Sequence, residues 1–541
     1  MMHEPEIKEY RFHGFTCGMP VIIMIVLIQL IISVPVYAAA DSGDYWPGKE
    51  WRTSTPDAQG LSSSKVHSFL RALNATDRLH SVVIIKNGYL VTEAYYHPYH
   101  RGAREYMVSL GDCVMSALTG IAAEKYPAIG DDATVVDFFG ERTIGNMTSL
   151  KKKMTIRDLL TMRAAFDRQW KADASNVSAM MHADDPVSFI LDAPMKENTS
   201  DFFSYSSLNS HLLSAIISVT TGMSAGEFAQ LNCFGPIGIT TADWSRDARG
   251  ISWGGFGLRM SALDMARFGY LYLRGGTWDG KAIVPRRWVE SSVKSQVPCS
   301  SFPYDSEGFG YQWWIEPWGY SARGMSGHYL FVIPSRDIVV VITSEYQFYT
   351  LHQLSGNRYA MFDGELRDGP AKHYVSELVG MYLAETSAGE IHDPSAEKRL
   401  AAYLGEIMKP SPVKKSSVPR TAARISGKKI IFNANHYRIK TVILSFSAGG
   451  GHITMEYEGG ELWKAPIGGN GAFINTVVSG IDEVALRGSW LNSNTFSMEE
   501  QEISESERFL FRFTFHGNTV EMKIIGSASN QPVEVSGRVV N

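Results

Sequence analysis

The spacing of apolar and polar residues predicts a mixed helix-and-strand domain in the larger, N-terminal part of the chain. Apolar residues at helical spacing over 61–75 predict an amphipathic helix, and two β-rich runs follow within 81–96. Asn87-Gly88 separates these runs and favours the positive φ angles of a tight hairpin turn. After a long, mostly helical interval, apolar runs within 328–346 predict two paired strands. Strands from both ends of a domain, with helices between them, indicate an α+β fold.

The pattern changes beyond residue 408. Segment 409–423 holds three prolines and four basic residues, a composition typical of a linker. Short β-type runs separated by Gly or Asn turns then continue to the end of the chain, and they predict a small all-β sandwich or barrel. We therefore assign 41–408 to the α+β domain, 409–427 to the linker and 428–541 to a structural or binding accessory domain.

The first forty residues have the layout of an export signal. Lys8 and Arg11 precede an apolar run from Met19 to Val36, and Ala38-Ala39-Ala40 follows it. This run approaches the ~18–20 residues that span a bilayer, so an uncleaved anchor with the same topology is the alternative to a cleaved signal. Under either hypothesis residues 41–541 lie outside the cytoplasm, being periplasmic, secreted or anchored to the membrane only through the N-terminal segment.

Composition excludes several classes of protein. The 541 residues carry 51 Lys+Arg against 56 Asp+Glu, a net charge of −5, which argues against a nucleic-acid binder. Four cysteines are too few for a disulfide scaffold, and no Cys/His cluster suggests a zinc site. We therefore expect no metal or other cofactor, and a small molecule or peptide as the partner of any site.

Most short serine motifs in the chain have a simpler explanation than catalysis. Gly222-Met-Ser224-Ala-Gly226 matches a nucleophile elbow, but that elbow needs a preceding strand, and 211–220 has helical spacing. Gly222 then fits the end of one helix, and Ser224 with Glu227 fits the capping box of the next. Three Ser-x-x-Lys matches lie in charged, surface-like segments and are of the kind expected by chance, namely Ser62/Lys65, Ser149/Lys152 and Ser291/Lys294.

Segment 104–125 is different. An apolar lead-in ends at Ser109, and a helix with a buried apolar face follows. A serine at the start of such a helix lies in the positive field of the helix terminus, which favours an alkoxide-like nucleophile and an oxyanion. Ser109 is therefore the candidate nucleophile.

The sequence MVSLGDCVMSALTGIA resembles the nucleophile helix of the serine β-lactamase and penicillin-binding-protein superfamily, in its branch of class C-like hydrolases, esterases and D-aminopeptidases. Further segments resemble this family in the same order, over roughly residues 50–385, namely 202–222, 253–284, 309–314 and 321–344. The resemblance implies a β-lactamase/transpeptidase-like fold, in which helices and a helical subdomain flank an antiparallel sheet.

The resemblance also implies roles for particular residues. In this family a serine attacks a carbonyl, a lysine one turn later helps remove its proton, a tyrosine shuttles protons, and backbone N–H groups of the serine and of a third-motif strand bind the oxyanion. Ser109 takes the serine position and Tyr205 the tyrosine position. Ser207 stands where many relatives have asparagine.

The third motif is only partly preserved. Met325-Ser326-Gly327 stands where a Lys/His-Thr/Ser-Gly triplet is common. Ser326 and Gly327 match the two small residues of that triplet, but Met325 replaces its cation. Arg323 is a candidate to replace the missing charge. His328 is a further candidate for substrate contact, with a structural role for a histidine at the start of a strand as its alternative.

The family's lysine position is occupied by Asp112. Aspartate, with a pKa near ~3.9, is a poor base for a serine hydroxyl. Its carboxylate would oppose an anionic intermediate ~4 Å away by roughly 4 kcal/mol at an effective dielectric of about 20. The alternative is that Asp112 only stabilises the first helical turn. Cys113, one residue on, is either a thiol nucleophile or a small core residue.

Two hypotheses from different classes follow. The first is a serine hydrolase that acts on a small ester, amide or D-peptide through an acyl-enzyme, with Ser109, Asp112 and Tyr205 in the catalytic positions and activity impaired by Asp112. The second is a non-catalytic extracytoplasmic relative that retains the cleft for binding or sensing. An α/β hydrolase using Ser224 is a distant third.

Overall fold

A computed structural model describes residues 45–76, 78–167, 170, 174–196, 203–299, 306–345, 371–385, 393–410, 418–447, 449–478, 482–505, 507–526 and 529–540. The predicted export signal at 1–40 lies outside the described residues, as do residues 411–417 of the predicted linker. The helices are α1 (Ser63–Leu73), α2 (Leu110–Lys125), α3 (Ser149–Lys153), α4 (Ile156–Leu160), α5 (Ala174–Met181), α6 (Pro186–Asp192), α7 (Ser207–Thr221), α8 (Ala225–Ala229), α9 (Ala262–Leu273), α10 (Arg286–Ser292), α11 (Ala371–Val379), α12 (Pro394–Ile407) and α13 (Arg420–Ile425).

Strands β1–β12 belong to the first domain. They are β1 (Leu79–Lys86), β2 (Tyr89–Tyr95), β3 (Glu105–Tyr106), β4 (Asp243–Trp244), β5 (Leu258–Met260), β6 (Thr277–Trp278), β7 (Lys281–Ala282), β8 (Gly308–Phe309), β9 (Trp314–Glu316), β10 (Gly319–Gly324), β11 (His328–Ile333) and β12 (Ile338–Ser344). Seven of them form one antiparallel sheet in the order β2-β1-β12-β11-β10-β9-β8. The α+β expectation is therefore confirmed.

Short-range signals account for the order of the central strands. The Asn87-Gly88 turn joins β1 to β2, with φ of 52° and 71°, as the sequence predicts. The predicted pair within 328–346 forms β11 and β12. β12 then pairs with β1, so strands from the two ends of the domain lie side by side in the sheet. All eight residues of β1 are buried, and the apolar residues from Val82 to Ile85 follow one another without alternating, as expected of a strand covered on both faces.

Helices cover both faces of the sheet. One face, including Val82, Val340 and Ile342, packs into a core with residues of α1, α11 and α12. On the other face α9 lies close to the sheet. Gly269 of α9 makes this possible, since an added Cβ would lie 2.6 Å from Leu330 Cδ1 of β11. The helical subdomain lies beyond α2, which packs against α7. α7 contributes ten buried residues, so its apolar face is a core surface.

The end of α7 tests the nucleophile-elbow motif. Gly222 closes α7 in a left-handed conformation, with φ of 71°. Ser224 then caps α8, and the Glu227 side chain accepts a hydrogen bond from the Ser224 backbone, which completes a capping box. Since a helix rather than a strand precedes Ser224, the elbow hypothesis is wrong.

Among the described residues, no single helix has the length and apolar character needed to cross a bilayer. α7 together with 225–237 meets that criterion by length and composition, across a bend of 74°.

The last part of the chain is a closed β-barrel, which resolves the sandwich-or-barrel alternative. Its ten strands follow the order β16-β15-β14-β13-β22-β21-β20-β19-β18-β17, and a pairing of β16 with β18 closes the ring. The alternate residues that point inward form an apolar core of their own. The strands are β13 (Lys429–Phe432), β14 (Ile439–Ser447), β15 (Gly450–Tyr457), β16 (Leu462–Gly468), β17 (Ile474–Val478), β18 (Asp482–Trp490), β19 (Thr495–Glu502), β20 (Glu507–His516), β21 (Thr519–Gly526) and β22 (Ser529–Val540).

Candidate active site

Ser109 lies at the N-cap of α2, partly exposed, while α2 itself is buried from Leu110 to Ala122. Its hydroxyl makes no capping hydrogen bond to the helix. Val108, the preceding residue, has a φ of 42°, a conformation that costs a branched residue about 1–3 kcal/mol and persists only where the surroundings impose it. The serine hydroxyl is thus held at the positive end of a buried helix.

Asp112 lies in the first turn of α2 and is 3% exposed. Its carboxylate accepts hydrogen bonds from the hydroxyls of Tyr205 and Ser210, the second at 2.6 Å. Gln312 Nε2 in turn donates to Ser210 Oγ at 2.9 Å. The helix dipole and two hydroxyl donors therefore stabilise a buried carboxylate one turn from Ser109.

Ser210 and Gln312 are members of this network that the sequence analysis missed. Gln312 lies in segment 309–314, which the resemblance covers, and its φ of 63° marks an unusual backbone conformation. Ser210 lies one turn beyond the second motif. A search for polar residues inside the resembling segments would have found both.

The second motif packs on a glycine pair. Ser206 caps α7, and Ser207 occupies its first position, partly buried. A Cβ added at Gly255 would lie 2.6 Å from Ser207 Cβ, and one at Gly254 would lie 1.9 Å from Ser210 O. Glycine at both positions therefore lets the loop before β5 lie directly against the start of α7, beside Asp112.

The third motif is a turn between β10 and β11. Ser326 and Gly327 both have left-handed backbones, with φ of 62° and 80°. Met325, at the family's cation position, is 56% exposed. A Cβ added at Gly324 would lie 2.5 Å from Val108 Cγ2, so the end of β10 packs against the residue before Ser109. The three motif segments therefore meet around the first turn of α2.

Arg323 is engaged by a partner. It forms a buried ion pair with Glu316 at 2.7 Å, and its guanidinium lies 5.0 Å from the centroid of the Trp314 ring. Glu316 also accepts hydrogen bonds from Ser321 and from Ser376. Burial acts to raise the pKa of Glu316, but Arg323 and these hydroxyls outweigh burial and hold that pKa below its usual value. The positive charge of Arg323 is thus balanced by a carboxylate, and its substrate-binding role stays a prediction.

His328 is completely buried at the start of β11. Its Nδ1 accepts a hydrogen bond from the Ser344 N–H at 3.2 Å. Burial is the main cause that lowers the pKa of His328 to about 4, so the ring is neutral at pH 7. These contacts describe a structural environment, and substrate contact by His328 stays a prediction.

An aromatic cluster lies beside Tyr205. The Tyr205 ring stacks with Trp314 at a centroid distance of 6.2 Å, and Phe203 packs edge-on against the same indole at 5.6 Å. Phe203 and Tyr205 are both partly exposed. The partly exposed surface next to the second motif is therefore aromatic.

Cys113 is buried, and its thiol donates to Leu110 O at 3.1 Å. Burial and the neighbouring Asp112 raise the pKa of this thiol well above its usual value. Because the thiolate is the nucleophilic form, Cys113 is a core residue rather than a nucleophile. No cluster of three metal-ligating side chains occurs among the described residues.

Comparisons with known proteins identify a family for this chain. The sequence profile of the family described as Beta-lactamase matches residues 77–360. Over 161 residues the chain is 29% identical to a 6-aminohexanoate-dimer hydrolase of Paenarthrobacter ureafaciens, a match that covers 27% of this chain and 39% of that protein. The chain thus matches well under half of the length of this relative.

Solved structures that are similar to this chain include the following two. A putative 6-aminohexanoate-dimer hydrolase from Bacillus anthracis has 22% identity and a TM-score of 0.47, with 58% of this chain and 82% of that chain covered. An octameric penicillin-binding protein homologue from Pyrococcus abyssi has 15% identity and a TM-score of 0.43, with 88% and 100% covered.

Proposed function

The chain belongs to the beta-lactamase family, and on that premise we propose that it is an extracytoplasmic serine hydrolase of low activity. Its substrates are small esters, amides or D-peptides, cleaved through an acyl-enzyme on Ser109. The export-signal pattern of the first forty residues supports the location. The placement of Ser109 at the start of a buried helix, beside the other two motifs, supports the chemistry.

The reaction needs a route for one proton. Ser109 Oγ forms a bond to the substrate carbonyl carbon as its own proton leaves, and the resulting oxyanion needs backbone N–H donors. Collapse of the intermediate expels an alcohol or amine, which takes up a proton, and water then releases the acid from the serine. The rate therefore depends on a nearby group that accepts the serine proton and on a site that favours negative charge.

The observation that carries the proposal of low activity is the environment of Asp112. Its buried carboxylate accepts a hydrogen bond from the Tyr205 hydroxyl, so Tyr205 acts as a donor toward Asp112. A tyrosinate beside this carboxylate would bring two negative charges together, which disfavours Tyr205 as the base for Ser109. The same carboxylate opposes the oxyanion one helical turn away. Both effects slow acylation.

The third motif supports a preference among substrates. Met325 places an exposed apolar side chain where the family commonly has a cation, and Glu316 balances the charge of Arg323. A substrate carboxylate would therefore find less compensation here than in relatives with an intact triplet. The partly exposed aromatic wall at Phe203 and Tyr205 suits an apolar acyl group. We propose that uncharged esters and amides are better substrates than esters and amides that carry a carboxylate group.

The second candidate function is binding without turnover. The hydrogen-bonded network of Asp112, Tyr205, Ser210 and Gln312 favours it, since two hydroxyl donors already stabilise the carboxylate. Such a network keeps the cleft ordered whether or not Ser109 reacts. A binding or sensing protein would retain this arrangement.

A labelling experiment tests the proposed function. The full chain is treated with a fluorophosphonate probe and the modified residue is identified by mass spectrometry, alongside the Ser109→Ala variant. We expect slow labelling of Ser109 and slow multiple turnover of p-nitrophenyl butyrate, both lost in the variant. Labelling that survives Ser109→Ala would refute the assignment of the nucleophile, whereas binding of the ester without turnover would favour the second function.

A further inference from the structure

Ser344, the last residue of β12, contacts the backbone of the third-motif turn from behind. Its Oγ lies 2.7 Å from Ser326 O and 2.9 Å from Gly327 O, so one hydroxyl serves both carbonyls of the turn. Ser344 is completely buried. These carbonyls belong to the two consecutive left-handed residues, a backbone geometry that persists only when neighbouring contacts impose it.

The backbone of Ser344 makes a second connection to the same strand. Its N–H donates to His328 Nδ1, so the neutral ring carries its proton on Nε2. The His328 ring also forms a hydrogen bond with the backbone of Tyr106, three residues before Ser109. Ser344 therefore links the start of β11 to the segment that leads into the nucleophile.

The barrel (β13–β22) contacts both of these segments. Arg508 of β20 pairs with Glu345, the residue after Ser344, at 2.7 Å, and Arg78 pairs with the same carboxylate at 3.1 Å. On the other side the Tyr106 N–H donates to Ser504 O of the barrel at 2.8 Å. Glu345 is 2% exposed, so the carboxylate of this pair is shielded from solvent, while Arg508 is partly exposed.

We propose that Ser344 is a positioning residue for the candidate site and that the barrel holds it in place through the Arg508–Glu345 pair. Ser344 fixes the Ser326–Gly327 turn so that the start of β11 faces Ser109 across the oxyanion position. The inference rests on the proposed function and assigns a role to the accessory domain. In this role the barrel supports the geometry of the site.

The first test compares Ser344→Ala with Ile342→Val in the full chain. Ile342 lies two residues earlier on the same strand and is equally buried, so its variant loses packing without touching the turn. We expect Ser344→Ala to lower kcat for p-nitrophenyl butyrate by about tenfold with KM unchanged, because carbonyls lose a buried donor. Ile342→Val should lower Tm and leave kcat unchanged. Equal losses of kcat in both variants, or none in Ser344→Ala, would overturn the proposal.

The second test removes the contribution of the barrel. Arg508→Met breaks the pair with Glu345, and Arg512→Met, at an exposed position of the same strand, is its control. We expect a severalfold slower labelling of Ser109 by the fluorophosphonate probe in Arg508→Met and the wild-type rate in the control. Equal rates in the two variants would overturn the role of the barrel.

A separate readout distinguishes this inference from the proposed function. If the wild-type protein neither labels nor turns over, the proposed hydrolase activity fails, and amide hydrogen exchange of 324–329 then decides the positioning role. Faster exchange in Ser344→Ala than in Ile342→Val supports it. Equal exchange in the two variants refutes it.

Discussion

Substitution of Asp112 separates the two causes that we propose for low activity. Asp112→Asn removes the negative charge with little change in shape, and the Asn oxygen still accepts a hydroxyl hydrogen bond from Tyr205 or Ser210. Asp112→Lys removes the charge and also supplies the family's amine. If repulsion of the oxyanion limits the rate, the first variant is faster than wild type, and if the missing base also matters, the second is faster still.

The expected size follows from the position of Asp112 in the helix. Ser109 is the N-cap and Asp112 lies three residues later, with its N–H bonded to Ser109 O at 3.1 Å. Side chains three apart on a helix are about 5–6 Å from one another. At that distance two unit charges interact by about 3 kcal/mol at an effective dielectric of about 20. Removal of the repulsion therefore raises the acylation rate by up to about a hundredfold.

The assay is the second-order rate of fluorophosphonate labelling of Ser109 in the full chain, followed by mass spectrometry. Asp264→Asn is a matched control, because Asp264 occupies the same position in the first turn of α9 and accepts a hydroxyl hydrogen bond from Thr241 at 2.6 Å. We expect the wild-type rate in this control. The reasoning is refuted if neither Asp112 variant labels faster than wild type, or if the gain persists when Ser109→Ala is added.

Four further outcomes are expected. Met325→Lys should raise turnover of the carboxylate-bearing β-lactam nitrocefin relative to p-nitrophenyl butyrate, measured as a ratio of kcat/KM; an unchanged ratio would contradict the role of the missing cation. Burial lowers the pKa of His328 to about 4, whereas histidine in the unfolded chain has a pKa of about 6.5, so the unfolded chain binds a proton first as the pH falls. The free energy of unfolding should therefore fall by about 2 kcal/mol between pH 7 and pH 5. Denaturant unfolding should show a smaller fall in His328→Gln. Gly254→Ala should lower Tm by several degrees, because its Cβ would lie 1.9 Å from a backbone oxygen of α7, whereas Gly140→Ala meets nothing closer than 4.0 Å and should not. Ser224→Ala should destabilise the protein by about 1 kcal/mol through loss of the helix cap and leave labelling at the wild-type rate; slower labelling would reopen the role of Ser224.

Much of the architecture was predictable because its signals are local. The turn at Asn87-Gly88, the cap at Ser224 and the apolar runs of β11 and β12 each depend on residues a few positions apart. A φ preference or a capping hydroxyl acts within one turn of chain, so a short stretch of sequence contains the relevant information.

The environment of the candidate site was less predictable. Ser109 and Asp112 could be located from one segment, but the partners of Asp112 could not, since Tyr205 is 93 residues away and Ser210 is 98. Arg323 was expected to supply a missing positive charge, and its ion pair with Glu316 across the β9–β10 hairpin was not foreseen. No role for Ser344 could be predicted from the sequence, because an isolated serine at the end of a strand has no distinctive pattern.

By itself, then, the sequence determined the family, the α+β arrangement of the first domain, the all-β character of the C-terminal part and the presence of an aspartate at the lysine position. The tertiary structure decided which groups that aspartate contacts, because it brings Tyr205 and Ser210 to its carboxylate. It also decided that the strands after the linker close into a barrel whose Arg508 reaches Glu345. Local conformational preferences act over a few residues, whereas the ionic and hydrogen-bonding state of a buried group depends on every residue packed around it, however distant in the chain.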